Sequence, residues 1–176
     1  MTVDLGGLID RVAVADRPVV LIDGGSGSGK TTLAPLIAAA IGAQLVRLDD
    51  IYPGWDGLDA GSDHVHDHVL SAESRWRRWD WIADRPAEWH DLDPRRPLVV
   101  EGSGSLSARN RELATFGIWV DLDAPTRKAR ALDRDGDAYA PHWDRWAAQE
   151  RRFFDREHPR DLADAIVDGH ELPALG

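Results

Sequence analysis

The chain has 176 residues, 43% of them hydrophobic, and a formal net charge of −10 at pH 7. That length fits one well-cored domain spanning residues 1–176, and the charge argues against a binder of nucleic acid or of an anionic membrane, whose phosphates would be repelled. The absence of cysteine excludes disulfides, thiolate catalysis and thiolate metal sites together, and makes a cytoplasmic location the default expectation. No N-terminal stretch reads as a signal peptide, and no apolar run has the length to cross a bilayer.

Asp4 to Ala15 is expected to be a short amphipathic helix, with Leu5, Leu8, Ile9 and Val12 on one face. Pro18 to Asp23 reads as a buried parallel strand. It leads into Gly24-Gly25-Ser26-Gly27-Ser28-Gly29-Lys30-Thr31, which fits the phosphate-binding pattern G-x-x-x-x-G-K-[ST] at every fixed position, and Leu33 to Ile41 then has helical, alanine-rich spacing. The glycines allow left-handed dihedrals that bring successive N–H groups close to a β-phosphate, and the following helix adds its positive end. Lys30 is expected to reach the β and γ oxygens and Thr31 to ligate magnesium, so the loop, with Thr32 behind it, reads as a site for ATP and Mg2+. Only two of the 21 basic residues are lysine. One of them stands where a compact ammonium on a flexible stem is wanted.

Ala43 to Leu48 reads as a second strand ending at Asp49-Asp50, and the Pro and Gly content of 52–57 marks a loop. A helix is expected over Ser62 to Leu70, with Ser62 as its candidate cap. The stretch from Arg75 to Leu92 is dense in Trp, Arg and Asp and contains Pro86; it reads as short strands and turns forming a flap on the substrate side. Further buried strands are expected at Pro97–Gly102, Phe116–Asp121 and Ala165–Val167. Helices are expected around Ala108–Ala114, from Pro125 to about Arg134, and from Pro141 or His142 to about Glu157. Strands alternating with helices predict an α/β fold: a doubly wound parallel sheet of about five strands of the P-loop NTPase type, flanked by helices and carrying an arginine-bearing lid.

Ligands of such a sheet bind beyond the carboxyl ends of its strands. That rule selects Asp49, Glu101 and Asp121 or Asp123. Magnesium takes oxygen ligands and keeps several waters, so Thr31 with one or two carboxylates, Asp49 and Glu101, suffices. Asp49 is placed to take the proton of a substrate hydroxyl. Arg127, Arg130 and Arg134 fall on one helical face, where they would neutralise charge on a moving phosphoryl group; the competing reading is a solvated face paired with Asp133 and Asp135. His64, His66 and His68 look like a metal tract, but only His64 and His68 share a helical face and no third ligand has useful spacing, which favours polar surface or substrate contact. Eight tryptophans, among them Trp76, Trp79, Trp81, Trp89, Trp143 and Trp146, offer plates for stacking, though most are expected to be core or lid packing.

In this order the motifs resemble the uridine kinase-like branch of P-loop small-molecule kinases over most of the chain. Asp49-Asp50-Ile51-Tyr52 is similar to the family's Asp-x-Phe-Tyr, and Trp79-Asp80-Trp81 to its Tyr-Asp-Phe. Val100-Glu101-Gly102 is similar to its Glu-Gly, and the stretch from Asp121 through Arg134-Asp135 to its lid. The chain departs from the pattern in lacking a Phe-Asp-His-Pro segment and in having Asp84 where a histidine is expected. The resemblance implies Asp49 as catalytic base and magnesium neighbour, and Tyr52, Trp79 and Asp80 on the acceptor side. It also implies Lys30 and Arg130 in transfer, with Arg127 and Arg134 on the nucleotide. The implied activity is transfer of the γ-phosphoryl group of ATP to a hydroxyl of a small molecule, of which a nucleoside is one candidate. The alternative from another class is a regulatory P-loop module that binds ATP without transferring it. The sequence leaves oligomeric state open.

Overall fold

In the computed structural model, which describes residues 4–172, the strand Val19–Asp23 (β1) is buried at every position, and its residues alternate between two apolar cores. Val20 and Ile22 face a core shared with the helices Leu5–Val12 (α1) and Lys30–Ile41 (α2), whereas Val19 and Leu21 face the opposite one. A strand covered on both sides must read as a continuous apolar run, as this one does. β1 is the middle of a five-stranded parallel sheet. Gln44–Arg47 (β2), Arg75–Asp80 (β3), Arg85–Asp91 (β4), Leu98–Glu101 (β5), Phe116–Asp121 (β6) and Ala165–Asp168 (β7) follow in the chain, and the sheet order is β2-β5-β1-β6-β7. The chain leaves β1 toward β2 on one side and β5 toward β6 on the other, so the strand order reverses between β1 and β5, and a ligand crevice is expected there.

The second face of the sheet is covered by Leu58–His64 (α3), Ala108–Glu112 (α4) and, after Ala124–Asp135 (α5), by Trp143–Glu157 (α6), whose Trp143, Trp146 and Phe153 enter the core. Asp123 starts α5 by accepting the Thr126 N–H, one residue ahead of the predicted boundary. Pro159–Leu162 (α7) then leads to β7.

The predicted 62–70 helix is displaced. It begins at Leu58 after Gly57, holds Ser62 buried in its interior rather than as a cap, and widens into a π turn over Val65–Val69. Gly57 ends the Pro- and Gly-rich loop, so the chain can turn into a helix there. Gly61 is then needed on the inner face, because a Cβ would stand 2.6 Å from the Tyr52 ring. The predicted flap is the hairpin β3–β4, a separate two-stranded sheet whose register shifts between Arg77 and Trp79.

Asp23, at the end of β1, is wholly buried and accepts hydrogen bonds from the N–H groups of Gly24, Gly104 and Leu106. Burial pushes its carboxyl up to about 6 against the opposing pull of those amides and of Lys30. Asp23→Ala leaves three buried donors without a partner. Even after relief of the desolvated charge it is expected to lower stability by about 2–4 kcal/mol, read in urea unfolding, with Asp23→Asn milder because it keeps an acceptor oxygen.

Candidate active site

β1 runs directly into residues 24–29, and α2 begins at Lys30 because Gly29 holds φ 109°, a left-handed angle that costs a side chain dearly. The positive end of α2 therefore points across the mouth of the loop. Lys30 is only 7% exposed, and its Nζ donates to the carbonyls of Gly24 at 2.8 Å and Gly25 at 3.0 Å, curling the side chain back along the loop. A Cβ at Gly25 would run into the Arg127 guanidinium, so a side chain there would push that arginine away from the loop.

A cavity of about 380 Å³ opens beside this loop at the switch point between β1 and β5. Ser26, Gly27 and Gly29 to Thr32 line one side of it, and Asp49 and Glu101 stand at the strand ends beside them. Glu101 is 3% exposed, and Thr31 Oγ1 donates to its Oε1 at 3.4 Å. Burial first, and the repulsion of Asp49 second, push the Glu101 carboxyl up to about 7. A desolvated carboxylate, a second one nearby and a hydroxyl form an all-oxygen donor set short of a closed cage, which suits magnesium, an ion that keeps several waters.

Of the predicted lid arginines, Arg130 and Arg134 line the cavity and Arg127 does not. Arg127 lies one turn after the Asp123 cap and turns to the back of the loop. There it donates to the carbonyls of Leu122 and Ser26 and approaches Glu150 Oε2 at 3.4 Å. Arg130 Nη1 donates to the Gly169 carbonyl at 2.8 Å, and Arg134 lines the cavity while paired with Asp135. Gly24, Gly25 and Ser28 are likewise off the cavity wall; they build the loop from behind. On the acceptor side Tyr52 lines the cavity, but Trp79 and Asp80 do not. Asp80 instead accepts the N–H groups of Ile82 and Ala83, closing the hairpin turn, as a carboxylate at that position does readily. Trp81, at the hairpin tip, enters the lining in their place. The strand-end acids Asp121 and Asp123 also serve locally. Asp121 takes the Trp119 indole N–H and Arg160, and Asp123 caps α5.

No protein-family model matches the sequence, and no curated protein sequence does. Among solved structures, a possible uridine kinase from Bacillus stearothermophilus superposes with a TM-score of 0.64 at 19% identity, covering 93% of this chain and 97% of its own. A candidate fructose transport system kinase from Silicibacter sp. TM1040 gives 0.62 at 18%, with 93% and 98% covered. A gluconokinase from Sinorhizobium meliloti 1021 gives 0.56 at 18%, with 89% and 87% covered. The chain shares the α/β fold of these structures, a five-stranded parallel sheet flanked by helices. The likeness extends over nearly the whole chain at low identity, so it is a likeness of architecture.

Within this fold, several residues at or behind the site are not legible from motif reading. Glu150 on α6 is 2% exposed; its Oε1 accepts the Ser26 N–H at 2.7 Å, the Ser103 hydroxyl at 2.8 Å and the Trp146 indole N–H at 3.1 Å. It ties α6 to the phosphate-binding loop. The only sequence signal was the i, i+4 spacing of Trp146 and Glu150 in an amphipathic helix. Trp55 and Tyr139 also reach the cavity wall, from a loop and a short 3-10 turn that carry no motif.

The histidine tract lies away from the cavity. The His64 and His68 rings lie 4.7 Å apart at a tilt, His64 stacks on Trp89 and His68 meets it edge-on, His64 Nε2 accepts the Arg77 N–H, and His66 pairs with Asp67 and Arg109. Burial, with His68 beside it, lowers His64 to about 4. Above pH 6.5 the ring is neutral in both folded and unfolded chains; below that the unfolded chain takes the proton first. Stability is therefore expected to fall as the pH drops from about 6.5 toward 4. His64→Gln should flatten that slope in pH-dependent thermal melts.

Proposed function

We propose that the protein is an ATP- and magnesium-dependent phosphotransferase that moves the γ-phosphoryl group to a hydroxyl of a small molecule. One observation carries this reading. Lys30, Thr31, Glu101 and Asp49, drawn from three separate stretches of motif, meet on one cavity at the end of the loop. The names of the structural neighbours, kinases of uridine, fructose transport and gluconate, agree with that chemistry and disagree among themselves about the acceptor.

In this account the loop amides and Lys30 hold the β- and γ-phosphates, and Thr31 and Glu101 would hold the metal, with Asp49 beside them. Bound magnesium would neutralise phosphate charge and orient the transferring group. The acceptor oxygen attacks the γ-phosphorus as its proton passes to Asp49, and the bond to the bridging oxygen of ADP breaks. Arg130 and Arg134 on α5 lie where charge on the transferring group develops, Arg130 leaving the Gly169 carbonyl and Arg134 leaving Asp135 as the lid closes. The absence of cysteine and the acidic charge fit a cytoplasmic enzyme acting on small molecules rather than on nucleic acid or membrane, and no described helix is long and apolar enough to cross a membrane. The test is ADP release across a panel of alcohols. Acceptor-dependent turnover supports a kinase; saturable ATP binding with no turnover on any alcohol supports the regulatory module instead.

A further inference from the structure

The side of the cavity facing Asp49 is built almost entirely of rings. Tyr52, Trp55, Trp81, Tyr139 and Trp146 line it with Asp49. Trp55 sits at the centre, 5.1 Å from Trp81, stacked on Tyr139 at 5.4 Å and edge-on to Trp146 at 6.5 Å, and Trp146 meets Tyr52 at 4.6 Å. What matters is where their polar tips go. The Tyr52 hydroxyl donates to the Ser103 carbonyl at 2.7 Å, the Tyr139 hydroxyl to Ser26 Oγ at 2.9 Å, the Trp81 indole to the Asp49 carbonyl at 2.9 Å and the Trp146 indole to Glu150 at 3.1 Å.

Four of the five rings have thus committed their donors to the protein and turn carbon surface toward the cavity. The Ser103 hydroxyl is taken as well, by the Gly24 carbonyl and Glu150. On the ring side the Asp49 carboxylate and the Trp55 indole N–H are left as polar groups for an acceptor, with Asp133 and Asp135 lining the cavity from α5. A polyol or sugar acid packed against the rings would give up water at every hydroxyl and regain few partners there, which is unfavourable. A ring would gain burial against the parts of these rings that the protein leaves uncovered, Trp55 being already stacked on His142 at 4.2 Å as well as on Tyr139. A cationic alcohol would also find aromatic faces, in a cavity that carries both signs of charge, Lys30, Arg130 and Arg134 against Asp49, Glu101, Asp133 and Asp135.

We propose that the acceptor is an alcohol carried on a flat, weakly polar ring, an aryl or heteroaryl alcohol, and not a polyol or a sugar acid. This rests on the kinase reading for the role of Asp49, but the ring wall makes a statement about binding that can be read separately.

The experiment is calorimetric titration of the full chain, with magnesium and a non-hydrolysable ATP analogue present. The probes are indole-3-ethanol, 2-phenylethanol, glycerol, D-fructose, D-gluconate, choline and uridine, and the same probes go into the ADP-release assay. The ring alcohols are expected to bind on the order of tenfold or more tighter than the others, and Trp55→Ala to weaken them on the order of tenfold while leaving affinity for the ATP analogue unchanged. Trp81→Leu, at a hairpin tip that is 39% exposed and therefore tolerant of change, should weaken them in the same direction. Tightest binding by a polyol, gluconate, choline or uridine overturns the proposal, as does binding by no probe or ring-alcohol affinity indifferent to both variants. Ring alcohols that bind while no probe is phosphorylated support the ring wall as their binding site and contradict the kinase reading; turnover of gluconate or fructose alone does the reverse.

Discussion

Asp49→Asn is expected to lower kcat for phosphoryl transfer by about 10²- to 10⁴-fold, the usual contribution of a positioned general base, while affinity for Mg–ATP changes little. The substitution is close to isosteric and keeps an oxygen beside the metal position. The local structure does not depend on the carboxylate, because Trp81 grips the backbone carbonyl of Asp49 and not its side chain. Removing the negative charge also lets the neighbouring Glu101 ionise more readily, since Asp49 is one of the two causes that raise its pKa. A variant that binds nucleotide but does not turn over therefore isolates proton transfer from binding. Full turnover in Asp49→Asn would exclude this residue as the base.

Lys30→Ala is expected to be more damaging, because binding and transfer fail together. Loss of a preorganised cation at the transferring group costs on the order of 10²- to 10³-fold in kcat, and the weaker grip on the β-phosphate adds to that in kcat/KM. In the ligand-free chain the ammonium also holds the Gly24 and Gly25 carbonyls, which keep the Ser103 hydroxyl and the Ser28 N–H as partners without it, so removing it should cost only about 1 kcal/mol of stability. Thermal melts of the variant separate that loss from the kinetic one. Lys30→Arg is not expected to rescue, because a planar guanidinium cannot follow the curled path of the lysine stem along the loop.

The sheet was legible because burial on both faces forces a parallel strand to be apolar along its run, which is what Val19–Asp23, Leu98–Glu101 and Phe116–Asp121 display up to the acid that ends each. The loop was legible because phosphate binding demands glycine, lysine and a hydroxyl in fixed order. The acids at β2 and β5 then followed from the rule for parallel sheets. Legibility ended where a role depends on a partner distant in the chain. Arg127 shares a helical face with Arg130 and Arg134, yet the glycine it packs behind lies 102 positions earlier, and nothing in its own neighbourhood distinguishes it from a lid residue. Trp79 and Trp81 carry the same ring two residues apart, and only the hairpin's irregular register and the Asp80 turn decide which of them reaches the cavity. Glu150 was invisible for the same reason: its partners Ser26 and Ser103 come from two other loops.

The central claim is that the amides of residues 24–31 and the start of α2 form a cup for polyphosphate, facing Glu101 and Asp49 across a magnesium ion. Calorimetric titration of the wild-type chain with ATP, with and without magnesium, tests it most directly. The account predicts saturable binding at one site, strengthened by magnesium and abolished in Lys30→Ala; no saturation with ATP and metal present, or binding indifferent to the loss of Lys30, would contradict it.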